Sequence, residues 1–305
     1  VVGVASVSGA CTAIIQADGS LDQPQLSLNL STRNLGVETY RLGDLLVDAK
    51  MAQDGIIDLS TLTLENRKSR IQGSGRLRLR DNQIDPDYDM AAAVDITSFS
   101  AADFMDSSPV HGTLDGRLTA SGPLKALQGA LTLKATSLTS KAATIGNVDA
   151  RLRWDNGTVT MDQLDLTNHA SVLTARGQLQ LLVPGSMAPV QDPAFSLDAS
   201  ADHLNPGDFI DQANGEFTLQ AALTGHINDP QGTIAINGED IDIAGQPVSL
   251  FTLDSRLYQR KLWIDRLVAG VAPKEKITTS GWVGLDRTMA IQLKSDGSSL
   301  SHIQH

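Results

Sequence analysis

Aromatic residues are scarce in this 305-residue chain, which holds three Trp, three Tyr and six Phe. A nucleic-acid surface wants rings interleaved with a basic stripe, whereas here 24 Lys and Arg are scattered through a chain of formal net charge −11. Nucleic acid is therefore not expected as a partner. The single cysteine, Cys11, excludes an internal disulfide framework and fits any redox compartment. No run of about 18 apolar residues occurs, so no segment reads as a membrane-spanning helix, and there is no secretory h-region. The chain opens on Val rather than Met, and its first residues, VVGVASVSGA, already read as a strand. We expect a piece of a longer protein, with any anchor outside it.

Catalytic and metal-binding patterns are missing as well. The stretch IDPDYDM, with Asp85, Asp87 and Asp89, imitates the start of a calcium loop. Met90 stands at its sixth place where Gly belongs, and Ile96 at its twelfth where a bidentate Glu belongs. The six histidines, His111, His169, His203, His226, His302 and His305, contain no i, i+4 ligand pair, and the last two read as a polar tail. There is no phosphate-cradling glycine loop followed by Lys and Ser/Thr, and no G-x-S-x-G elbow. Asp162, Asp165 and Asp265 read as solvated strand ends. No cofactor, no metal and no enzymatic activity are expected.

What the chain does contain is one passage written three times. DGSLDQPQLSL (18–28), SGPLKALQGALTL (121–133) and TGHINDPQGTIAI (224–236) open it. GIIDLSTLTLEN (55–66), GTVTMDQLDLTN (157–168) and KLWIDRLVAGV (261–271) continue it. IQGSGRLRLR (71–80), LTARGQLQLL (173–182) and ITTSGWVGL (277–285) close it. The opening glycines, Gly19, Gly122 and Gly225, step by 103 and 103, and the closing ones, Gly75, Gly177 and Gly281, by 102 and 104. One period held across three separate phrases is the mark of an array of like units. We place these at 1–110, 111–214 and 215–305, the third cut short, and expect them to form one continuous elongated domain.

Within each unit, apolar and polar residues alternate in short runs separated by Gly, Asn, Asp and Pro. This is the pattern of antiparallel strands with one apolar face. Asp54-Gly55 and Asn156-Gly157 are strong hairpin turns, and Arg260-Lys261 holds the matching place in the third unit with a weaker signal. Helical periodicity is confined to SFSAADFMD (98–106) and LNPGDFIDQ (204–212), where Asn205 and Pro206 suit an N-cap and first turn. A short helical turn is expected at each junction.

A change of parity recurs in all three units. Ile57 and Leu59 are followed by Leu62 and Leu64, Val159 and Met161 by Leu164 and Leu166, and Leu262 and Ile264 by Leu267. Keeping both sets on one face requires a bulge or bend at Ser60-Thr61, Asp162-Gln163 and Asp265-Arg266. Two architectures meet that need: a strand turning the corner between packed sheets of a sandwich, or a long sheet creased along a line. Twenty or so strands at about 4.8 Å each would make a sheet too wide to stay flat, which favours the crease. The fold expected is all-β, an elongated, folded-over antiparallel sheet of three tandem repeats with short helical turns between them.

The inner face would then carry Leu26, Leu28, Leu30, Ile57, Leu59, Leu62, Leu64, Leu77 and Leu79 in the first unit. Leu131, Leu133, Val159, Met161, Leu164, Leu166, Leu179 and Leu181 follow in the second. Phe217, Leu219, Leu223, Ile234, Ile236, Leu262, Ile264 and Leu267 follow in the third. Such a lining, with few bulky rings to fill it, leaves apolar surface worth about 25 cal/mol per Å² to any guest that covers it. An acyl chain suits that space.

The opening phrase G-x-(x)-x-x-P-x-(L/G)-x-G-x-L, followed by strands that end in x-G-x-G-x-L, resembles the repeats of the TamB and AsmA-like family. In repeat rhythm the resemblance covers essentially the whole chain. The middle unit departs from it by placing its proline at Pro123 instead of just before Gly129, and the third lacks the Asn-Gly turn. The resemblance implies a folded-over β-sheet with a hydrophobic groove, held at the inner membrane by a segment absent here and crossing the periplasm. It implies carriage of phospholipid toward the outer membrane or support of outer-membrane assembly, an outer-membrane barrel protein of the TamA kind as partner, and no catalytic residues. A structural or adhesive β-repeat with a self-filled core is the alternative. A carbohydrate-active β-solenoid is a third reading, disfavoured because no cluster of carboxylates and aromatics is evident on one face.

Overall fold

The structure, a computed structural model, describes residues 6–20, 23–81, 83–141, 143–209, 213–243, 245–272 and 275–296. It is all-β, and the described residues form nineteen strands in an antiparallel sheet. Two compact units are distinguished: Val1–Lys141 with Asp149–Thr158 and Leu182–Pro189, and Ala142–Val148 with Val159–Leu181 and Val190–His305. His302 and His305 lie outside the described residues, as do residues 210–212 of the second helical stretch.

In chain order the strands of the first half are β1 (Val7–Ser20), β2 (Gln23–Val37), β3 (Tyr40–Met51), β4 (Ile56–Asn66), β5 (Ser69–Arg80), β6 (Gln83–Ile84), β7 (Met90–Phe99), β8 (Val110–Gly122) and β9 (Gln128–Ser140). Each pairs with its sequence neighbour, except that β7 joins β5 directly and the two-residue β6 sits at the end of β5. The second half continues with β10 (Thr144–Asp155), β11 (Thr158–Asn168), β12 (Ser171–Gln180), β13 (Ala194–Leu204), β14 (Ala213–His226), β15 (Asp229–Ile243), β16 (Gln246–Tyr258), β17 (Lys261–Ala272), β18 (Glu275–Gly284) and β19 (Met289–Asp296). From β12 to β19 the ladder again runs in sequence order.

The helical stretches expected at 98–106 and 204–212 are single turns. One is α1 (Ala101–Phe104), the other a 3₁₀ turn at Pro206–Asp208 whose N-cap Asn205 accepts from the Gly207 N–H. A further 3₁₀ turn, Leu124–Ala126, follows Pro123 and had no signal in the periodicity. At Asn156-Gly157 both residues have positive φ, 46° and 84°, the signature of a type I′ hairpin. The third turn is Gln259-Arg260, one residue earlier than Arg260-Lys261, and it holds positive φ, 52° and 58°, without a glycine.

The bulges expected at Ser60-Thr61 and Asp265-Arg266 are present. Leu59 pairs with Gly75 and Leu62 with Gly73, so Ser60 and Thr61 together face one residue of β5. Ile264 pairs with Gly281 and Leu267 with Thr279, which puts Asp265 and Arg266 in the same position. A second family of irregularities follows the sequence period: Gly9 with Asn34, Gly112 with Ser137 and Gly215 with Asp240 all have positive φ, and the register shifts beside each pair.

Little of this sheet is sealed from water. Among the described residues the buried apolar side chains are Phe104, Ala135, Ala150, Ala201, Ile241 and Val268, mostly small ones.

Candidate functional site

Residues paired across a ladder share a face, so the register decides which side chains meet. In the first unit it aligns Ala13, Leu30, Val47, Leu62, Gly73, Val94, Leu118 and Leu131 in one row that crosses every strand of the ladder from β1 to β9. Beside it run Ile15, Leu28, Ala49, Leu59, Gly75, Ala92, Ala120 and Gly129. Leu45, Leu64, Ile71, Ile96, Gly116 and Leu133 form a third row. Without the bulge at Ser60-Thr61, Leu62 and Leu64 would face the other way and the two rows that pass through them would break at β4.

The second unit repeats the arrangement. Leu173, Ala201, Leu219, Ile236, Leu253, Leu267, Thr279 and Leu293 make one row from β12 to β19. Gly177, Leu197, Leu223, Gly232, Leu257, Leu262 and Val283 make another. Ile234 and Ile264 flank Ser255 between them, and the Ser255 hydroxyl donates to the Ile234 carbonyl at 3.0 Å, so this polar member of the face is satisfied internally.

Of the residues expected to line the inner face, Leu26 and Leu181 are exposed and the rest are half-buried, including Val159, Met161, Leu164 and Leu166 in β11, Leu77 and Leu79 in β5, and Leu179 in β12. None is fully enclosed. Apolar rows in the middle of a sheet normally reach full burial against a second layer; here Ala201 and Thr279 are buried, while the leucine, isoleucine and valine members are not.

One end of each unit is closed. Phe99 pairs with Leu114, and Leu114 with the buried Ala135, while the Phe99 and Phe104 rings stack at 5.1 Å. In the second unit Phe217 pairs with Gly238 and Gly238 with Phe251, and the two rings meet edge-on at 6.3 Å. A polar latch fixes each end. Ser69 donates to the Asp103 carboxylate at 2.7 Å and accepts from the Ser100 N–H at 2.9 Å, while the Asn66 amide donates to the Asp103 and Arg41 carbonyls. Ser171 donates to Asp208 at 2.5 Å and accepts from the Asn205 N–H at 2.8 Å, while Asn168 donates to the Asp208 and Thr144 carbonyls. Ser69 and Ser171 are the most deeply buried side chains described.

Of the acidic residues weighed in the sequence, Asp85, Asp87 and Asp265 are ion-paired. Asp85 is buried, held by Arg78 at 2.8 and 2.5 Å and by Arg80 at 3.1 Å. The Asp87 N–H bonded to it, with Arg78 and Arg80 beside it, keeps its carboxyl below the usual carboxylate range. The loop is tied back onto β5, where the Asp85 N–H also donates to the Arg78 carbonyl. Asp265 is no solvated strand end: it sits in the β17 bulge, where Arg256 grips it with two hydrogen bonds of 2.7 and 2.6 Å and lowers its pKa.

No family model, curated protein or solved structure matches this chain. The site rests on its own geometry.

Two features escaped the sequence reading. The latch has a faint signature, Asn-x-x-Ser at 66–69 and 168–171 with Asp-Phe at 103–104 and 208–209, which becomes legible only once the fold brings these segments together. The other is an aromatic cluster beside carboxylates, on the face opposite the apolar rows. Trp263 lies beside Trp282 on β18 and beside Arg256 on β16, with Asp265 in reach of Arg256. The expectation that no such cluster exists is corrected here; strand pairing assembles it from residues up to 26 positions apart.

Proposed function

We propose that the apolar face of this sheet is a groove for phospholipid acyl chains, moving lipid between the inner and outer membranes of a Gram-negative-type periplasm. An anchor outside this chain would hold it at the inner membrane, and a TamA-like barrel would be its outer-membrane partner. The observation that carries the reading is the set of apolar rows, unbroken across adjacent strands yet half-exposed along their length. A flexible hydrocarbon is the guest such rows suit, because burial of apolar area is favourable without directional demands. The resemblance of the repeats to the TamB and AsmA-like family supports the same reading. No catalysis is part of it.

Native extraction followed by mass spectrometry of bound lipid tests this directly. Phospholipid is expected to co-purify, and a photo-crosslinker placed at Leu118 or Leu253 should label its acyl chains. A lipid-free protein whose crosslinks at these positions are all internal would instead favour the self-filled structural repeat.

A further inference from the structure

The polar face of the second unit carries a feature that lipid carriage does not use. Two of the three tryptophans and one of the three tyrosines gather there. The Trp263 and Trp282 rings lie 6.4 Å apart at 51°, on neighbouring strands. Lys261 stands 3.7 Å from the Trp282 ring centroid and 5.8 Å from that of Trp263. Tyr258, which pairs with Lys261, is 52% exposed. A cleft of about 580 Å³ opens among Gln231, Thr233, Arg256, Tyr258 and Trp263. Its guanidinium is held rigid by the two hydrogen bonds to Asp265. The Trp263 Nε1–H is buried with no acceptor among the described residues.

These rings are no part of the core, since the apolar rows run on the other face of the same strands. Trp263 and Trp282 are half-buried and Tyr258 is exposed, and ring surface left to water is unfavourable unless something covers it. The occupant can be narrowed by its chemistry. β16 and β17 are paired on both sides, so no edge is free to take up a peptide strand. Arg256 and Lys261 are offset by Asp265 and Asp286, the latter close enough to feel Lys261, so the cleft carries no strong net charge to select an ion. The acidic chain as a whole repels anionic membranes and nucleic acid. What remains is a neutral, hydroxyl-rich ring system. The C–H face of a sugar covers an indole or phenol ring, and its hydroxyls bond with the planar amide, guanidinium and carboxylate groups at the rim. A cleft of this size, with a few convergent polar groups, is within the ordinary range for a small ligand.

We propose that this cleft, built on Tyr258 and Trp263 with Trp282 beside them, binds a short neutral oligosaccharide. Maltotriose, cellotriose and chitotriose titrated into the intact chain, followed by tryptophan fluorescence and saturation-transfer NMR, test it. At least one is expected to saturate at millimolar concentration or below. Trp263→Ala and Tyr258→Ala should each weaken that binding by about tenfold or more, as removal of an aromatic anchor does. Tyr258 is exposed enough that its variant keeps the folded state, which an unchanged melting temperature verifies. Absence of saturation with all three sugars overturns the proposal, and so does binding that both variants leave intact. A fluorescence change with phosphatidylethanolamine vesicles and none with sugars would overturn it too, and mark the patch as a membrane face.

Discussion

A single hydroxyl holds each closed end of this sheet. Ser171 serves as donor to a carboxylate and acceptor from a backbone N–H, with no water to replace either. Ser171→Ala leaves Asp208 and the Asn205 N–H short of partners, and should cost about 1–3 kcal/mol in chemical denaturation. Ser69→Ala should behave alike. A Ser171→Ala variant within experimental error of the parent would mean the latch is incidental. Asp85 makes a different demand. Its folded-state pKa is depressed, so its contribution to stability is complete above the ordinary carboxylate pKa of about 4 and is lost as pH falls through the lower folded value. Hydrogen exchange over Gln83–Asp89 should stay slow at neutral pH and accelerate below about pH 4. In Asp85→Asn the exchange should be fast at neutral pH already, with the acid step gone.

At the scale of strands and turns, much was legible before the structure. The parity change at Leu59/Leu62 locates a bulge because a pleat leaves no other way to keep four leucine and isoleucine side chains on one side. The Asn156-Gly157 hairpin follows from the φ values only such residues adopt cheaply. The hairpin at Gln259-Arg260 was misplaced by one residue because its left-handed residues are not the kinds that favour φ > 0, and register, not composition, fixes the turn. The latch and the aromatic cleft were illegible for a related reason: both depend on which residues face each other across strands, and alternation alone does not reveal that. A turn held against its own preference is open to improvement. Gln259→Asn with Arg260→Gly should stabilise the protein by about 1 kcal/mol, less whatever the Arg260 hydrogen bond to the Asn228 carbonyl contributes. Urea denaturation of the double variant measures the net; a loss of stability would show that this bond outweighs the backbone strain.

At the scale of the molecule, the choice is between a face awaiting a guest and a face that closes on itself. The shortage of buried side chains among the described residues favours the first, and the phenylalanine clusters at the latched ends show that the chain fills its own apolar space where it has rings to do so. Leu28, Leu133 and Ile236 lie within the apolar rows, away from the latches, and all are half-buried. A charge at any of them distinguishes the two cases. On an open face, Leu133→Lys keeps its ammonium hydrated, so the melting temperature should hardly move while lipid transfer between vesicles collapses. Inside a closed core the same charge has no partner, and destabilisation of several kcal/mol should follow. Circular dichroism melting and a fluorescent-lipid transfer assay on the same three variants separate the outcomes. Loss of fold at all three positions would remove the groove, whereas intact fold with intact transfer would place the cargo elsewhere.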